Sequence, residues 1–433
     1  MTEPAGHHLT TLPSGVRVVT ESMAGARSVA LGIMIGAGSV AESGREAGWS
    51  HLLEHLLFRG SARYGSREID ERFDAFGGEI DAGTGRESTS LSARVLDEHL
   101  EEAFDIMADM VWRPGIAPAD VASEQQIVLE ELAMYEDDPQ DVVFDLLGAA
   151  VFGAHPIGRP VIGTRESVSG ADSETLRAYH AERYAPGSIV ISAAGSVVHE
   201  RIVELVAAAE QADVAGRRSV PAPAPPTPEA PRALFRERPT EQFHITFGAH
   251  GLAREDDRRI ALRVLDALVG GTPSSRLFQE VRERRSLAYD VSSFHSEYAG
   301  VGHIGIYLGT RPANLEAALG AVVGELERLR ADGLAPGELD RAREHAKGRF
   351  VLALESPYAR MGRLGALVLH DRELLEIDTV LARVDALQEQ DIESLAAELL
   401  DPARLSVAAV GPDEARFRAA LDTALPGPAR MAA

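Results

Sequence analysis

The alternation of hydrophobic and polar residues divides the first part of the chain into short strands and amphipathic helices. Two β-branched runs, at 16–20 and 29–35, lie between turn-forming residues, and this pattern favours antiparallel strands. The same criteria predict further elements downstream: a helix capped by Ser66 and ended near Phe76 by two glycines, a strand pair over 79–95, and helices over 98–111 and 118–135.

The stretch from Gly48 to Phe58 predicts a helix with two different faces. At about 100° per residue, one face is entirely apolar and consists of Trp49, Leu52, Leu53, Leu56 and Leu57. His51, Glu54 and His55 lie on the opposite face. Because residues four apart on a helix are neighbours, both imidazoles can reach one metal ion, with Glu54 beside them.

The order His-x-x-Glu-His is typical of inverted zinc peptidases, in which the glutamate is the general base. A pattern of five residues also arises by chance, so a solvated helix face is the alternative interpretation of this stretch taken alone. A metal site therefore requires a third protein ligand elsewhere in the chain.

The predicted helix over 118–135 carries two carboxylates within its apolar stripe. The stripe is formed by Val121, Ile127, Val128, Leu132 and Tyr135. Glu124 and Glu131 fall inside it, whereas Glu130 points to the polar side and is the poorer candidate ligand. Carboxylates are rarely buried unless they are paired or bound to metal. We therefore expect a positive group to face Glu124 and Glu131.

A proline-rich segment predicts where the chain divides. Residues 214–231 hold six prolines in an alanine-rich setting without periodicity, which is typical of a semi-rigid connector. The predicted domains are therefore 1–213, which carries the metal motif, and 232–433. A length of 433 residues agrees with more than one domain.

The two halves repeat each other in sequence. Gly115-Ile-Ala-Pro118 opens the helix that bears the carboxylates, and Gly333-Leu-Ala-Pro336 stands at the matching place in the second half. A duplicated domain is the simplest explanation.

The second half nevertheless lacks the candidate ligands. In this internal alignment Ala342 replaces Glu124 and Arg349 replaces Glu131, and the helix predicted around 258–269 has no histidine. Only the first half is therefore expected to bind a metal.

Composition narrows the chemistry. The chain has no cysteine, so a transition metal must be held by histidine and carboxylate. The net charge of −24 opposes binding to nucleic acid or to an anionic membrane and favours basic ligands. No apolar run approaches the roughly 20 residues that span a bilayer, and residues 1–8 do not resemble a signal peptide, so we expect a cytoplasmic protein.

Taken together, these motifs resemble the pitrilysin/insulinase family of zinc peptidases, in particular its short branch that includes the mitochondrial processing peptidase. The resemblance extends over almost the whole chain, through segments at 48–55, 77–84, 124–131, 155–163 and 274–282. It implies an α+β fold of two homologous domains, each a mainly antiparallel sheet covered by helices on one face.

The resemblance also implies roles for the residues of the first half. His51, His55 and Glu131 match the family's zinc ligands, and Glu54 matches its general base. Glu124 matches a carboxylate that supports the site without binding the metal.

Substrate contacts are implied in both halves. Arg282 and Tyr289 match a pair that holds the peptide and stabilises the developing oxyanion. The strand that includes Asp81 and Ala82 resembles an edge strand to which an extended peptide adds by main-chain hydrogen bonds. Two positions depart from the family, which usually has asparagine at Asp81 and an aromatic residue at Leu91.

The predicted function is that of a zinc-dependent endopeptidase that hydrolyses peptides or unfolded segments, preferably basic ones, inside the chamber of a homodimer. Peptides are then the expected partners, with no role for nucleic acid or membrane. The alternatives are a non-catalytic structural subunit, like the core proteins of respiratory complexes that share this fold, and a peptide-binding partner of a different subunit. The core-protein relatives typically lose part of the zinc set, which is complete here.

Overall fold

The computed structural model of the protein describes residues 6–210 and 223–425. The described strands are β1 (His7–Thr11), β2 (Arg17–Ser22), β3 (Ser28–Ile35), β4 (Glu79–Thr84), β5 (Thr89–Leu96), β6 (Ile189–Gly195), β7 (Ala233–Glu237), β8 (Phe243–Gly251), β9 (Ala288–Tyr298), β10 (Val301–Thr310) and β11 (Ser406–Gly411).

The α-helices of the first half of the chain are α1 (Trp49–Leu57), α2 (Ser66–Phe76), α3 (Leu100–Trp112), α4 (Pro118–Asp137), α5 (Pro139–Phe152), α6 (Arg165–Ser169), α7 (Ser173–Arg183) and α8 (His199–Ala209). Those of the second half are α9 (Arg259–Val269), α10 (Leu315–Asp332), α11 (Glu338–Ala353), α12 (Pro357–Leu369), α13 (Ile377–Asp385), α14 (Glu389–Leu399) and α15 (Glu414–Ala424). None of the described helices is long and apolar enough to cross a membrane.

The strands form two sheets that share one topology. The first sheet has the order β1-β2-β6-β3-β5-β4, and the second has the order β7-β11-β8-β10-β9. In the first sheet β2 runs parallel to β6, in the second β7 runs parallel to β11, and all other neighbours in both are antiparallel. Apart from the additional strand β1, the orders match strand for strand, as a duplicated domain requires. The predicted α+β fold is confirmed.

The compact units around these sheets are not continuous in sequence. The first unit comprises Met1–Leu132, Pro160–Pro223 and Val351–Leu375, and the second comprises the remainder. Helix α12 therefore belongs with the first sheet and α5 with the second, because each packs on that sheet. The predicted boundaries of 1–213 and 232–433 differ from this division at these two helices. Of the predicted connector, residues 214–222 lie outside the described part of the chain, and 223–231 have no regular structure.

Burial of apolar faces explains where α12 packs. On one side of the first sheet, Met361 of α12 is buried beside Ala30 and Ala194, and Leu364 and Val368 pack against neighbouring strand residues. Burying a large apolar side chain contributes about 1.5–3 kcal/mol, so several such contacts determine which sheet a helix covers.

Helix α1 packs on the opposite side of the first sheet. Its four leucines are fully buried, together with Leu31, Ile33 and Ile35 of β3. The predicted apolar face of this helix is therefore confirmed, and its histidine face is left available for chemistry.

Two details of the sequence interpretation are wrong. Ser66 begins α2 but does not cap it, since Gly65 occupies the cap position without a side-chain bond. In α4 the buried stripe is narrower than predicted, because Ile127 and Tyr135 are 36% and 50% exposed. The residues that α4 does bury are Val121, Glu124, Val128 and Leu132. Glu124 thus lies within the packed face of the helix, and Glu130 is exposed as predicted.

Candidate metal centre

The start of α1 is fixed by a buried carboxylate that the sequence analysis missed. Glu42 is 3% exposed and accepts hydrogen bonds from the backbone N–H groups of Gly48 and Ser50, at 2.8 and 2.7 Å. This carboxylate satisfies the orphan donors at the helix N-terminus and complements its positive end. Gly48 has a φ of +86°, and a Cβ there would collide with the carbonyl oxygen of Ile162. Only glycine suits this position.

Three candidate ligands converge where α1 faces α4. Nε2 of His51 lies 3.7 Å from Oε2 of Glu131, and Nε2 of His55 lies 3.6 Å from the same oxygen. The three ligand atoms are all within 4.8 Å of one another, and among the described residues this is the one group of its kind. Zn–N and Zn–O bonds are about 2.0–2.2 Å long, so one ion can contact all three atoms.

Glu124 orients one of these ligands from behind. Its carboxylate is 2% exposed, accepts a 2.9 Å hydrogen bond from Nδ1 of His55, and forms an ion pair with Arg59. With its proton on Nδ1, His55 presents the Nε2 lone pair towards Glu131, the arrangement that metal-bound histidines usually adopt. The expected positive group facing Glu124 is therefore Arg59.

Protonation states also suit metal binding. Burial, aided by the neighbouring His55, lowers the pKa of His51 to about 4, so this imidazole is neutral near pH 7. Burial raises the pKa of Glu54, although a hydrogen bond from Thr84 and the charge of His55 oppose the shift. Oε2 of Glu54 is buried and has no hydrogen-bond partner within the described protein. An unpaired buried carboxylate oxygen is costly, which is typical of a group kept for chemistry.

Comparison with known proteins agrees with this geometry. The sequence pattern of the insulinase family (Peptidase family M16) matches residues 17–165, and that of the "Peptidase M16 inactive domain" matches residues 171–345. The chain belongs to the M16 peptidase family. An uncharacterized zinc protease of Streptomyces coelicolor is 40% identical over 411 residues, which are 93% of this chain and 89% of that protein. The uncharacterized zinc protease YmxG of Bacillus subtilis is 37% identical over 390 residues, which are 90% of this chain and 94% of that protein.

Solved structures show the same fold. A protease from Helicobacter pylori superimposes with a TM-score of 0.88 at 20% identity, covering 94% of this chain and all of that one. A structure titled as a peptidase M16 inactive domain, from Pseudomonas fluorescens, gives a TM-score of 0.87 at 22% identity, covering 94% and 98% of the two chains. At these identities the likeness establishes the M16 two-domain fold.

The predicted edge strand is β4, the outermost strand of the first sheet. Among the described strands it pairs only with β5, and it packs beside α1, the helix that carries His51 and His55. Asp81 is exposed on this strand, and Ala82 packs against the core. The backbone groups on the outer side of β4 are therefore available to an added strand.

Arg282 and Tyr289 lie together in the second unit. The guanidinium of Arg282 is 4.5 Å from the ring centroid of Tyr289 and 4.7 Å from that of Phe278, so it stacks between two aromatic rings. Tyr289 is 78% exposed, which leaves the pair accessible. The segment Phe278–Arg284 is π-helical, a conformation that is rare and frequent at functional sites.

Glu280 holds this π-helical segment in place and is a second residue that the sequence analysis missed. It is 7% exposed and forms ion pairs with Arg284 on the same segment, with Arg285 directly after it, and with Arg328 on α10. Arg284, Arg285 and Arg328 are therefore paired with Glu280. Arg282 is not part of this group, and its Nε lies 3.7 Å from a carboxylate oxygen of the half-exposed Glu283. Its position two residues before Arg282, the arginine matched to the family, is the signal in the sequence that could have identified Glu280.

Proposed function

We propose that this protein is a zinc-dependent peptidase that hydrolyses peptide bonds at the cluster of His51, His55 and Glu131. The observation that carries the proposal is the convergence of three ligand atoms beside Glu54, whose Oε2 has no hydrogen-bond partner among the described residues. Membership of the M16 family and relatives named zinc proteases support the same conclusion.

The residues present fit zinc. Two imidazoles and one carboxylate are the ligand set of many catalytic zinc sites, and three protein ligands leave a coordination position open. When bound, zinc supplies a Lewis acid that polarises a carbonyl and makes water a stronger acid. Because the chain has no cysteine, it offers no thiolate site that would compete for the ion.

Other side chains would have separate roles in the reaction. Oε2 of Glu54 accepts the proton of the attacking water and delivers it to the leaving amine, a role that suits a carboxylate whose pKa is raised by burial. Glu124 keeps the proton of His55 on Nδ1 and so fixes the orientation of that ring. Arg282 and Tyr289 would donate to the peptide carbonyl as negative charge develops on its oxygen.

We further propose that the substrates are extended, basic peptides. An edge strand can add only a segment whose own backbone is unpaired, which selects unfolded chains over folded proteins. The net charge of −24 attracts cationic peptides at low salt, and this advantage should shrink as ionic strength rises. Equal hydrolysis of matched basic and acidic peptides at every salt concentration would contradict this preference.

The assembly that we propose is a symmetric homodimer enclosing a chamber. Its basis is the family resemblance, in which four such domains surround the substrate while this chain supplies two. The cytoplasmic location stays a prediction from the sequence.

The proposal is tested by metal analysis together with a substitution of the base. Purified wild-type protein should hold one zinc per chain and cleave mixed basic peptides. Glu54→Gln should keep the zinc but lose about 10²- to 10⁴-fold in kcat, the usual contribution of a general base. Glu130→Gln is the matched control, since this exposed neighbour of Glu131 should affect neither zinc content nor rate.

Two outcomes would contradict the proposal. Hydrolysis by Glu54→Gln at the wild-type rate would place the base elsewhere. Zinc-loaded wild-type protein that cleaves no peptide would favour the non-catalytic alternatives.

A further inference from the structure

A cavity of about 290 Å³ lies beside the edge strand, within the first unit. Its wall includes Asp81 of β4, Ser92 of β5 and Tyr358 at the start of α12. Tyr358 is 47% exposed, and its hydroxyl lies 3.1 Å from the Ser92 hydroxyl. The phenol ring is thus anchored to the sheet and still open to a ligand.

Strand geometry relates this cavity to a bound peptide. Ile80 and Ala82 of β4 pack against the core on the α1 side, so alternation places Glu79 and Asp81 on the other face, where α12 lies. A peptide strand added to β4 would also present every second side chain to that face. One of those side chains would lie over the cavity.

The charge of the cavity selects what fits. Glu79 and Arg94 form an ion pair at 2.8 Å and balance each other. Asp81 forms no ion pair with any residue in the described part of the chain, so its carboxylate supplies the uncompensated charge of the cavity. An aromatic ring beside a carboxylate suits a long cationic side chain, whose stem packs along the ring while its head meets the acid.

We propose that this cavity is a subsite for one arginine or lysine side chain of the bound peptide, with Asp81 as the residue that determines specificity. The inference rests on the proposed function and assigns part of the basic preference to a local contact. It also explains why this chain has aspartate at position 81, where the family usually has asparagine, because asparagine would leave the cavity without an unbalanced charge.

The test uses Glu54→Gln protein loaded with zinc, so that binding is measured without hydrolysis. Fluorescent peptides carry a single arginine, moved one position at a time, and each has a partner with citrulline, which keeps the shape but not the charge. A partly exposed ion pair contributes up to about 1 kcal/mol, so arginine should bind about fivefold more tightly than citrulline at one position. The two neighbouring positions, whose side chains point to the opposite face, should show no such preference.

Adding Asp81→Asn to this background should bring the ratio at that position close to one. The matched control is Glu71→Gln, which removes one exposed carboxylate from α2 and should leave the ratio unchanged. If both Asp81→Asn and Glu71→Gln lost the preference for arginine over citrulline, the preference would come from the overall charge of the protein, and the subsite proposal would be wrong. An unchanged ratio in Asp81→Asn would overturn it as well.

Tyr358 gives a second, independent readout. Tyr358→Phe keeps the ring and should retain most of the arginine preference, whereas Tyr358→Ala removes the wall and should reduce it. Equal ratios in the two variants would contradict the role of the ring. Zinc-loaded wild-type protein that hydrolyses neither arginine nor citrulline peptides would refute the proposed function itself, while hydrolysis of both with an unaltered ratio in Asp81→Asn refutes only the subsite.

Discussion

The two sheets share one strand order, yet among the described residues only the first carries a cluster of metal-ligating side chains. In α11 the residue equivalent to Glu124 is Ala342, which is 6% exposed, and Arg349, equivalent to Glu131, lies on the exposed surface. A small apolar residue therefore fills the buried position without loss of the fold. Glu124 in the first unit is costly to bury, and the second unit has the same strand order without it, which agrees with the supporting role proposed for Glu124.

The second unit has developed different chemistry on the same topology. Its edge strand β9 occupies the place that β4 holds in the first sheet, and it carries the exposed Tyr289. Before it comes the π-helical segment, fixed by Glu280, that positions Arg282. In the proposed function, one half supplies the metal ligands and the other supplies the cationic and phenolic donors, so the two halves have complementary roles.

The largest effect on zinc binding and activity should follow from replacing Glu131 by arginine, the residue at the matching position of the second half. Glu131→Arg places a positive charge where the metal must lie, so zinc content should fall to background and hydrolysis should be lost. Glu130→Arg, with the same change of charge one residue away on the exposed side, is the control and should keep both. Bound zinc at one per chain in Glu131→Arg would refute the ligand assignment.

Mixing two inactive variants tests whether each active site is built from two subunits. Glu54→Gln and Arg282→Ala should each be nearly inactive alone. If the proposed dimer shares its sites, equal mixing after subunit exchange should restore roughly a quarter of wild-type activity, because half of the dimers are mixed and each has one intact site. Demonstrated exchange without recovery would show that each chain completes its own site.

Replacing Glu124 by the alanine of the second half should have an intermediate effect. Glu124→Ala removes the partner of His55 and Arg59, and loss of such a supporting group typically weakens metal affinity about 10- to 100-fold. Glu124→Gln retains an acceptor for Nδ1 of His55 and should lose less. Competition with a chelator measures both affinities, and equal affinity in wild type and Glu124→Ala would contradict the supporting role.

The smallest expected effects concern a feature that both halves share, a buried carboxylate with a lowered pKa. Burial alone would raise the pKa of Asp109, but bonds from Ser61, Arg113 and Arg63 outweigh it. Burial alone would also raise the pKa of Glu338, but hydrogen bonds from Arg276 and from a backbone N–H lower it. Because these pKa values lie below those of the unfolded chain, the stabilisation is complete above about pH 5 and is lost as the pH falls through the unfolded-state and then the folded-state pKa values.

Asp109→Asn and Glu338→Gln should therefore each lower the free energy of unfolding at pH 7 by about 1–3 kcal/mol and flatten its decline in acid. Chemical denaturation from pH 7 down to pH 3 measures both quantities. A variant with an unchanged acid slope would show that its carboxylate does not stabilise the fold in this way.

Local sequence was sufficient for several elements. The leucine face of α1, the bounds of α2 and the strand pair at 79–95 followed from periodicity and glycine positions, because those signals act within one or two turns of chain. The alignment of the two halves likewise anticipated the matching sheet orders. Predictions were less accurate for α4, where periodicity did not show that Ile127 and Tyr135 are exposed.

The sequence by itself determined the chemistry available to this protein: a His-x-x-Glu-His helix, carboxylates at helical spacing, no thiolate, and a strongly acidic balance. Only the tertiary structure decided which groups meet. It placed Glu131 between the two imidazoles, paired Glu124 with Arg59, brought Glu42 to the start of α1, and packed α12 on the first sheet to form the cavity at Asp81. The reason is physical: residue spacing along one element fixes a face, whereas contacts between distant elements depend on how their buried surfaces pack.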